Sequence, residues 1–292
     1  MQSSSQVVLV TGASGFVGGH YLKKSEYRID AIRTVSLQQT FLEEIDYSNV
    51  HSVLHLAGIA HRMEKTADQI YFDVNCNLTL DFANHCKQAG VEHFIFMSTI
   101  KVYGESNELL TLETSCVPND AYGKSKFLAE TELMKLSDDH FKVAIIRPPL
   151  IYGPGVKGNL KRLSEWINSR YIIPLGGIKN KRSLVGIDNL ISLIDKIIER
   201  KAGGIFLIQD KAPISTTELI KSIAEIKRSK IKIITIPAFM RIILKLIRPD
   251  IYKRLFGTLI VDDSQTKKEL NFENPYTTEQ GLELMINGRD GK

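Results

Sequence analysis

In the stretch Asp120–Glu130, "DAYGKSKFLAE", a phenol and an ammonium stand four residues apart, at Tyr122 and Lys126. On a helix that spacing puts both side chains on one face, a turn from each other. Of the ten tyrosines in the chain, Tyr122 alone has a lysine four positions on. Residue frequencies would produce such a pair often, so its meaning comes from its place: it follows "HFIFMST", a short apolar run that ends in Ser98 and Thr99. A hydroxyl, a phenol and an ammonium that converge can move a proton to or from a substrate oxygen. The lysine charge favours phenolate and so is expected to lower the tyrosine pKa, while Thr99 hydrogen-bonds the same oxygen. The bland alternative is a Tyr–Lys pair on a helix surface.

A second cluster lies near the start, where "VLVTGASGFVG" places Gly12, Gly15 and Gly18 at three-residue spacing behind a short β-branched run. The run reads as a buried strand and "GFVGGHYLKK" as a helix, so the glycines occupy a strand-to-helix turn. Such a turn holds an anion: Gly12 allows the tight bend, Gly15 the approach of backbone N–H groups to a pyrophosphate, and Gly18 close packing of helix on strand. The spacing is G-x-x-G-x-x-G, and a ligand-free structural turn is the competing reading.

The elements that must carry these residues alternate along the first half of the chain. Strands are expected over residues 27–35 ("YRIDAIRTV"), in "HSVLHLAG", in "HFIFMST" and in "FKVAIIRPPLIYG"; helices are expected over 67–90, closed by Gly90, and in "AYGKSKFLAETELMKLS". Alternation of this kind predicts an α/β fold, a doubly wound parallel sheet with its ligand at the carboxyl ends of the strands. The edge between Arg33 and "VLHLAG" is too short for a further helix and strand. Beyond "IYGPGVKGN" the pattern becomes irregular, with the helix "NLISLIDKIIER" and the strand "GGIFLIQD", which predicts a smaller C-terminal lobe. There, "IPAFMRIILKLIRPD" is basic and apolar; a helix packed on the lobe's core is expected over one lying on a membrane.

The composition is ordinary for a globular chain of 292 residues, with 43% hydrophobic and 24% charged residues. The net charge of +5 is spread along the sequence, and its densest runs lack interleaved aromatics, so nucleic acid is not an expected partner. Cys76, Cys86 and Cys116 show no metal-type spacing and are odd in number, which fits buried thiols in a reducing compartment. Neither a secretory leader nor a membrane span is expected, and the location read from these features is cytoplasmic.

The motifs "TGASGFVG", "HLAG", "MST", "YGKSK" and "RPPLIYGPG" occur in this order over essentially the whole chain, which resembles the extended short-chain dehydrogenases, the NAD-dependent epimerase/dehydratase family. The resemblance implies an NAD(P)-binding Rossmann domain over 1–155, completed by elements within 184–210, and a mainly sugar-nucleotide-binding lobe over 156–292. Thr99, Tyr122 and Lys126 match the catalytic positions. The cofactor would meet Gly12, Ser14, Gly15, Phe16, Val17 and Gly18 at the pyrophosphate turn. Leu56, Ala57 and Gly58 match the segment by its ribose. Asn75, Tyr122, Lys126 and Pro149, within Pro148 to Leu150, complete the set. For the substrate the matching positions are Thr99, Tyr122, Asn159 and Arg182, the last two near a diphosphate, which a forked guanidinium suits.

Departures from the family pattern narrow the chemistry. Sugar-nucleotide dehydratases place Asp-Glu after the threonine, where this chain has Ile100-Lys101, and no Cys–His pair of the fucose-synthase type is evident. What remains is 4-ketoreduction or 4-epimerisation of a UDP-sugar. Arg33, read at the end of the second strand, suits the 2′-phosphate of NADP, so NADP(H) is expected ahead of NAD(H). That leans the expectation toward reducing a UDP-4-keto-6-deoxy-N-acetylhexosamine for surface polysaccharide. A UDP-glucose or UDP-N-acetylglucosamine 4-epimerase is the first alternative, and a non-catalytic NADP sensor the remoter one. The expected partner is the UDP-sugar, with a homodimer compatible.

Overall fold

The computed structural model describes residues 7–26, 31–60, 67–104 and 108–288; the first part of the strand expected over 27–35, residues 27–30, lies outside them. The β-branched run at the start forms β1 (Val7–Thr11) and turns through the glycines into α1 (Phe16–Lys24). Strands β2 (Ile32–Val35) and β3 (Val50–His55) flank β1 in parallel. The link between them is as short as the sequence predicts, with a 3-10 turn at Leu42–Glu44.

Next come α2 (Asp68–Phe72) and α3 (Leu78–Gln88), where the sequence predicts one unbroken helix; a π-helical turn at Asp73–Asn77 joins them. Then follow β4 (His93–Met97), the short β5 (Leu109–Leu110), α4 (Ala121–Leu136) and β6 (Lys142–Arg147). Beyond these lie β7 (Leu150–Tyr152), α5 (Asn159–Ser169), β8 (Ile172–Gly176), β9 (Leu184–Gly186), α6 (Ile187–Arg200) and β10 (Gly204–Leu207). The last elements are α7 (Thr216–Ile226), β11 (Lys232–Thr235), α8 (Ala238–Ile247), α9 (Pro249–Phe256), β12 (Ile260–Val261), α10 (Ser264–Leu270) and α11 (Thr278–Asn287).

Six strands pair in parallel in the order β10-β6-β4-β3-β1-β2. Successive strand residues point to opposite faces, and both faces are covered. Val8, Val10, Ala144 and Ile146 pack against α1 and α6; Leu9, Phe94, Val143 and Ile145 pack against α3 and α4. Helix α6 shows why packing decides here. Its five isoleucines each cost up to about 0.7 kcal/mol in helix propensity. Fully burying a side chain such as Leu190, Leu193 or Ile194 returns about 1.5–3 kcal/mol each.

Elements of the second half build a separate core from Tyr152, Leu160, Ile167, Ile173, Leu219 and Ile220 among others. Tyr152 donates to Asp210 (2.5 Å), and the same carboxylate accepts from Asn189 Nδ2 and the Gly186 amide, a buried polar knot between β7, β9 and α6. One expectation is overturned: α8 forms, but it is not packed on the lobe's core, for none of its residues is buried. The cysteines are unbridged, with Cys76 and Cys86 buried.

Candidate active site

The carboxyl ends of β1, β3 and β4 meet at one rim of the sheet, and the chemistry-bearing residues gather there. Gly12 adopts φ +69, and a Cβ on it would stand 2.6 Å from the Ala57 amide nitrogen, so only glycine lets the turn after β1 approach the loop after β3. A Cβ on Gly18 would overlap the Gly12 carbonyl oxygen, which fixes how closely α1 seats on the turn. Gly15 is the N-cap of α1 and supplies no capping side chain, and no acidic residue occupies the helix's first turn. Amides at such an end lack intrahelical partners and lie at the positive end of the dipole. With Ser14, Phe16 and Val17 they form a cradle that fits a dinucleotide pyrophosphate.

The loop after β3 is held from beneath. His55 is hydrogen-bonded to Thr11 Oγ1 (2.9 Å) and Thr79 Oγ1 (3.0 Å), and the Thr11 hydroxyl accepts the Ala57 amide (3.1 Å). Asn75, turned inward from the π-helical turn, binds both backbone groups of Ile59 and donates to Ser125 Oγ (3.2 Å). Its amide is thus committed to bracing the segment after Leu56, Ala57 and Gly58 against α4. Lys126 reaches this loop from α4, for a Cβ on Gly58 would lie 3.3 Å from its Nζ.

Helix α4 starts at Asp120, whose carboxylate caps it by accepting the Gly123 amide (2.7 Å). This start puts Tyr122 and Lys126 on the face toward β4. Lys126 is 5% exposed; its ammonium donates to the Met97 carbonyl (3.0 Å) and lies 4.4 Å from the Phe96 ring centre. Tyr122 is partly buried against Tyr71, with the Lys101 ammonium 5.6 Å from its ring centre and the Thr99 hydroxyl hydrogen-bonded to its phenol. Pro148 and Pro149 close the rim at the end of β6, and the Pro148 carbonyl accepts the Ile100 amide (3.2 Å).

Burial sets the protonation of both central groups. It raises the Tyr122 pKa to about 12, against the hydrogen bond from Thr99, and lowers that of Lys126 to about 8, against the Glu130 charge. The sequence expectation of a tyrosine lowered by its lysine is therefore reversed in the protein alone. Desolvation outweighs the ammonium, which is directed at the Met97 carbonyl. At neutral pH Tyr122 is a proton donor.

Behind this pair lies a charged cluster that the sequence reading missed. The buried Glu130 carboxylate accepts from Arg147 Nε (3.1 Å) and Nη2 (2.6 Å) and from Ser98 Oγ, while Arg147 Nη1 donates to the Tyr103 hydroxyl (2.7 Å). Glu130 is four residues from Lys126, the spacing that singled out Tyr122, so the same rule applied once more would have found it.

Arg33 requires a correction. It is the second residue of β2, paired with Leu9, and the strand continues through Thr34 and Val35, so Arg33 is not at the strand's carboxyl end. Its guanidinium donates to the Asp46 carbonyl (2.5 Å) and pairs with the Asp46 carboxylate (2.9 Å). Asn159 is exposed as the first residue of α5. Arg182 bridges to Ile214 and Leu259, and its Nη1 donates to the Gly257 carbonyl (3.2 Å) just past α9.

The profile of the NAD dependent epimerase/dehydratase family matches residues 8–208, which contain the glycine turn, Thr99, Tyr122 and Lys126. The chain belongs to that family and is an enzyme of its class. It is 36% identical to the UDP-glucose 4-epimerase of Vibrio cholerae, over 94% of this chain and 93% of that one. Among solved structures its fold is similar to RMD from Pseudomonas aeruginosa complexed with NADPH (TM-score 0.79, 19% identity, covering 97% of this chain and 99% of that one). It is also similar to the UDP-glucuronic acid 4-epimerase of Bacillus cereus in complex with NAD (TM-score 0.75, 20% identity, 96% and 95% covered).

Proposed function

We propose that the protein is a nicotinamide-dependent oxidoreductase acting at C4 of a UDP-hexose, working as a 4-epimerase. The observation that carries this reading is the convergence of Thr99, Tyr122 and Lys126 beside the Gly58 loop, with Ile100-Lys101 and no acid pair following Thr99. A nicotinamide dinucleotide, its pyrophosphate held by the Gly12–Gly18 cradle, would supply hydride acceptance and return at the sugar carbon. The chain's own residues handle the proton. Tyr122 takes the C4 hydroxyl proton as the carbonyl forms and returns it to the same oxygen as hydride comes back to the opposite face of C4, and Thr99 holds that oxygen in between. For Tyr122 to act as a base in the first half-reaction its pKa must come down from the value burial gives it, which the positive charge of an oxidised nicotinamide, added to that of Lys126, would favour. In the same reading Asn159 and Arg182 hold the diphosphate, and the carbonyls at the end of α9 aim the Arg182 fork.

One observation favours a second reading, net reduction of a UDP-4-keto-6-deoxy-N-acetylhexosamine: the resting site holds Tyr122 as a donor, the state that protonates a carbonyl oxygen. Arg33 no longer argues for NADP(H), because Asp46 occupies its guanidinium. Parallel incubations separate the readings. Interconversion of UDP-glucose and UDP-galactose, or of their N-acetyl counterparts, without net cofactor consumption supports the epimerase. Stoichiometric NADPH oxidation with the 4-keto sugar and no epimerisation would replace it by the reductase. Cofactor binding with no turnover on either would favour a sensor.

A further inference from the structure

Helix α8 has the composition of an interfacial helix and the exposure of one. At about 100° per residue its large apolar side chains, from Ile242 round to Leu244, cover one continuous arc of about 200°, and Arg241 and Lys245 fall on the opposite side. Phe239 is 63% exposed, Ile242 60%, Leu246 77% and Ile247 70%. Single exposed apolar residues are ordinary in proteins, but this many on one ten-residue helix form a patch that water covers at a cost.

The orientation of that patch is fixed by α9. The Arg241 guanidinium lies 4.9 Å from the ring centre of Phe256 and the Lys245 ammonium 5.8 Å from that of Tyr252, and these two rings stack at 4.9 Å. The basic side of α8 is therefore the side toward α9, and the apolar arc points away from the protein.

We propose that α8 docks the C-terminal lobe on an anionic phospholipid bilayer, its apolar arc entering the headgroup region and the positive charge of α8 and α9 behind that arc drawing the lobe to the negative surface. Charge complementarity selects this occupant. Residues 237–256 carry five basic side chains, Arg241, Lys245, Arg248, Lys253 and Arg254, against the single acidic Asp250. An anionic bilayer offers the apolar layer and the negative surface together. A second copy of the chain fits less well. Ten residues make a rod about 15 Å long, whose face offers a few hundred Å² at most, where a stable interface buries about 800 Å² per partner. Among the described residues no helix is long and apolar enough to cross a membrane, so the association is peripheral. The inference stands independently of the chemistry at Tyr122.

Flotation of the full chain with vesicles tests it. With phosphatidylethanolamine–phosphatidylglycerol vesicles at about 0.1 M salt the protein should float, and binding should fall steeply at about 0.5 M salt and on pure phosphatidylcholine. Ile243→Ser with Leu246→Ser should cut the partition at least about tenfold, and Lys245→Gln with Arg248→Gln should cut it on anionic vesicles by about fivefold per charge removed. Because Ile243 and Leu246 are exposed, the Ser variant should keep the wild-type melting temperature, and both variants should keep cofactor binding. Failure of the wild type to float with anionic vesicles overturns the proposal, as does equal flotation of the Ser variant. Self-association that this variant abolishes, without flotation, would assign the face to a second copy and overturn it equally.

Discussion

Burial favours the neutral form of both central side chains, which keeps Tyr122 a phenol at neutral pH while Lys126, its pKa lowered to about 8, is still mostly an ammonium. Removing only the phenol oxygen should therefore remove proton transfer and little else. Tyr122→Phe is expected to slow turnover by about a hundred- to ten-thousand-fold while cofactor affinity, read by fluorescence titration, stays within about twofold. Near-normal turnover would place the chemistry elsewhere. Arg33 leads to the opposite expectation. Its guanidinium is engaged in an exposed ion pair with Asp46, and such pairs contribute little to stability. Arg33→Ala should thus change the melting temperature little and leave the ratio of NADPH to NADH affinity within about twofold; a tenfold shift toward NADH would return the 2′-phosphate to Arg33. Tyr122 and Lys126 were legible because helical spacing is a local rule. The Arg33–Asp46 pair was not, because its partner is thirteen residues on, in a loop without periodicity.

In the proposed function the strand-to-helix turn is the element that holds the cofactor, and two neighbouring glycines in it separate close packing from conformational freedom. A methyl on Gly18 runs into the Gly12 carbonyl oxygen, whereas one on Gly19 meets nothing nearer than 3.8 Å. Gly18→Ala should cost about 1–3 kcal/mol in chemical denaturation and weaken cofactor binding by displacing the α1 amides. Gly19→Ala should leave binding intact and raise stability by up to about 1 kcal/mol. Equal effects of the two would mean that α1 does not seat on the turn as described. The alternation of strands and helices was readable here since β1, β3, β4 and β6 bury both faces. Two departures were not. The π-helical turn depends on a long-range pairing of Asn75 with Ile59, and the exposure of α8 depends on which neighbours fold over it; an amphipathic pattern looks the same whether its apolar side meets protein or lipid.

At the scale of the whole molecule, two histidines are buried in the sheet as neutral rings. Burial lowers the His55 pKa to about 3 and that of His93 to about 4, the latter against a hydrogen bond to the Ala202 carbonyl. Between these values and the ordinary 6.5 the unfolded chain binds protons that the native state refuses, so stability is present above about pH 6.5 and is lost as pH falls toward 4. For His93 the loss, fully expressed, is on the order of 3 kcal/mol. The melting temperature of the wild type should fall across that window, and His93→Phe should flatten the fall; an unchanged pH profile in the variant would remove His93 from the account.

The same whole-molecule view, a sheet rim with a dinucleotide cradle on one side and Thr99, Tyr122 and Lys126 on the other, makes one central claim: the hydrogen that leaves C4 of the sugar comes back to C4. UDP-glucose carrying deuterium at C4 tests this directly, with UDP-galactose analysed for label by mass spectrometry and proton resonance. The account predicts product that retains deuterium at C4 and a slower rate for the labelled substrate, and Tyr122→Phe should form that product at least about a hundredfold more slowly with the label still at C4. Product whose C4 label has exchanged with solvent would contradict it.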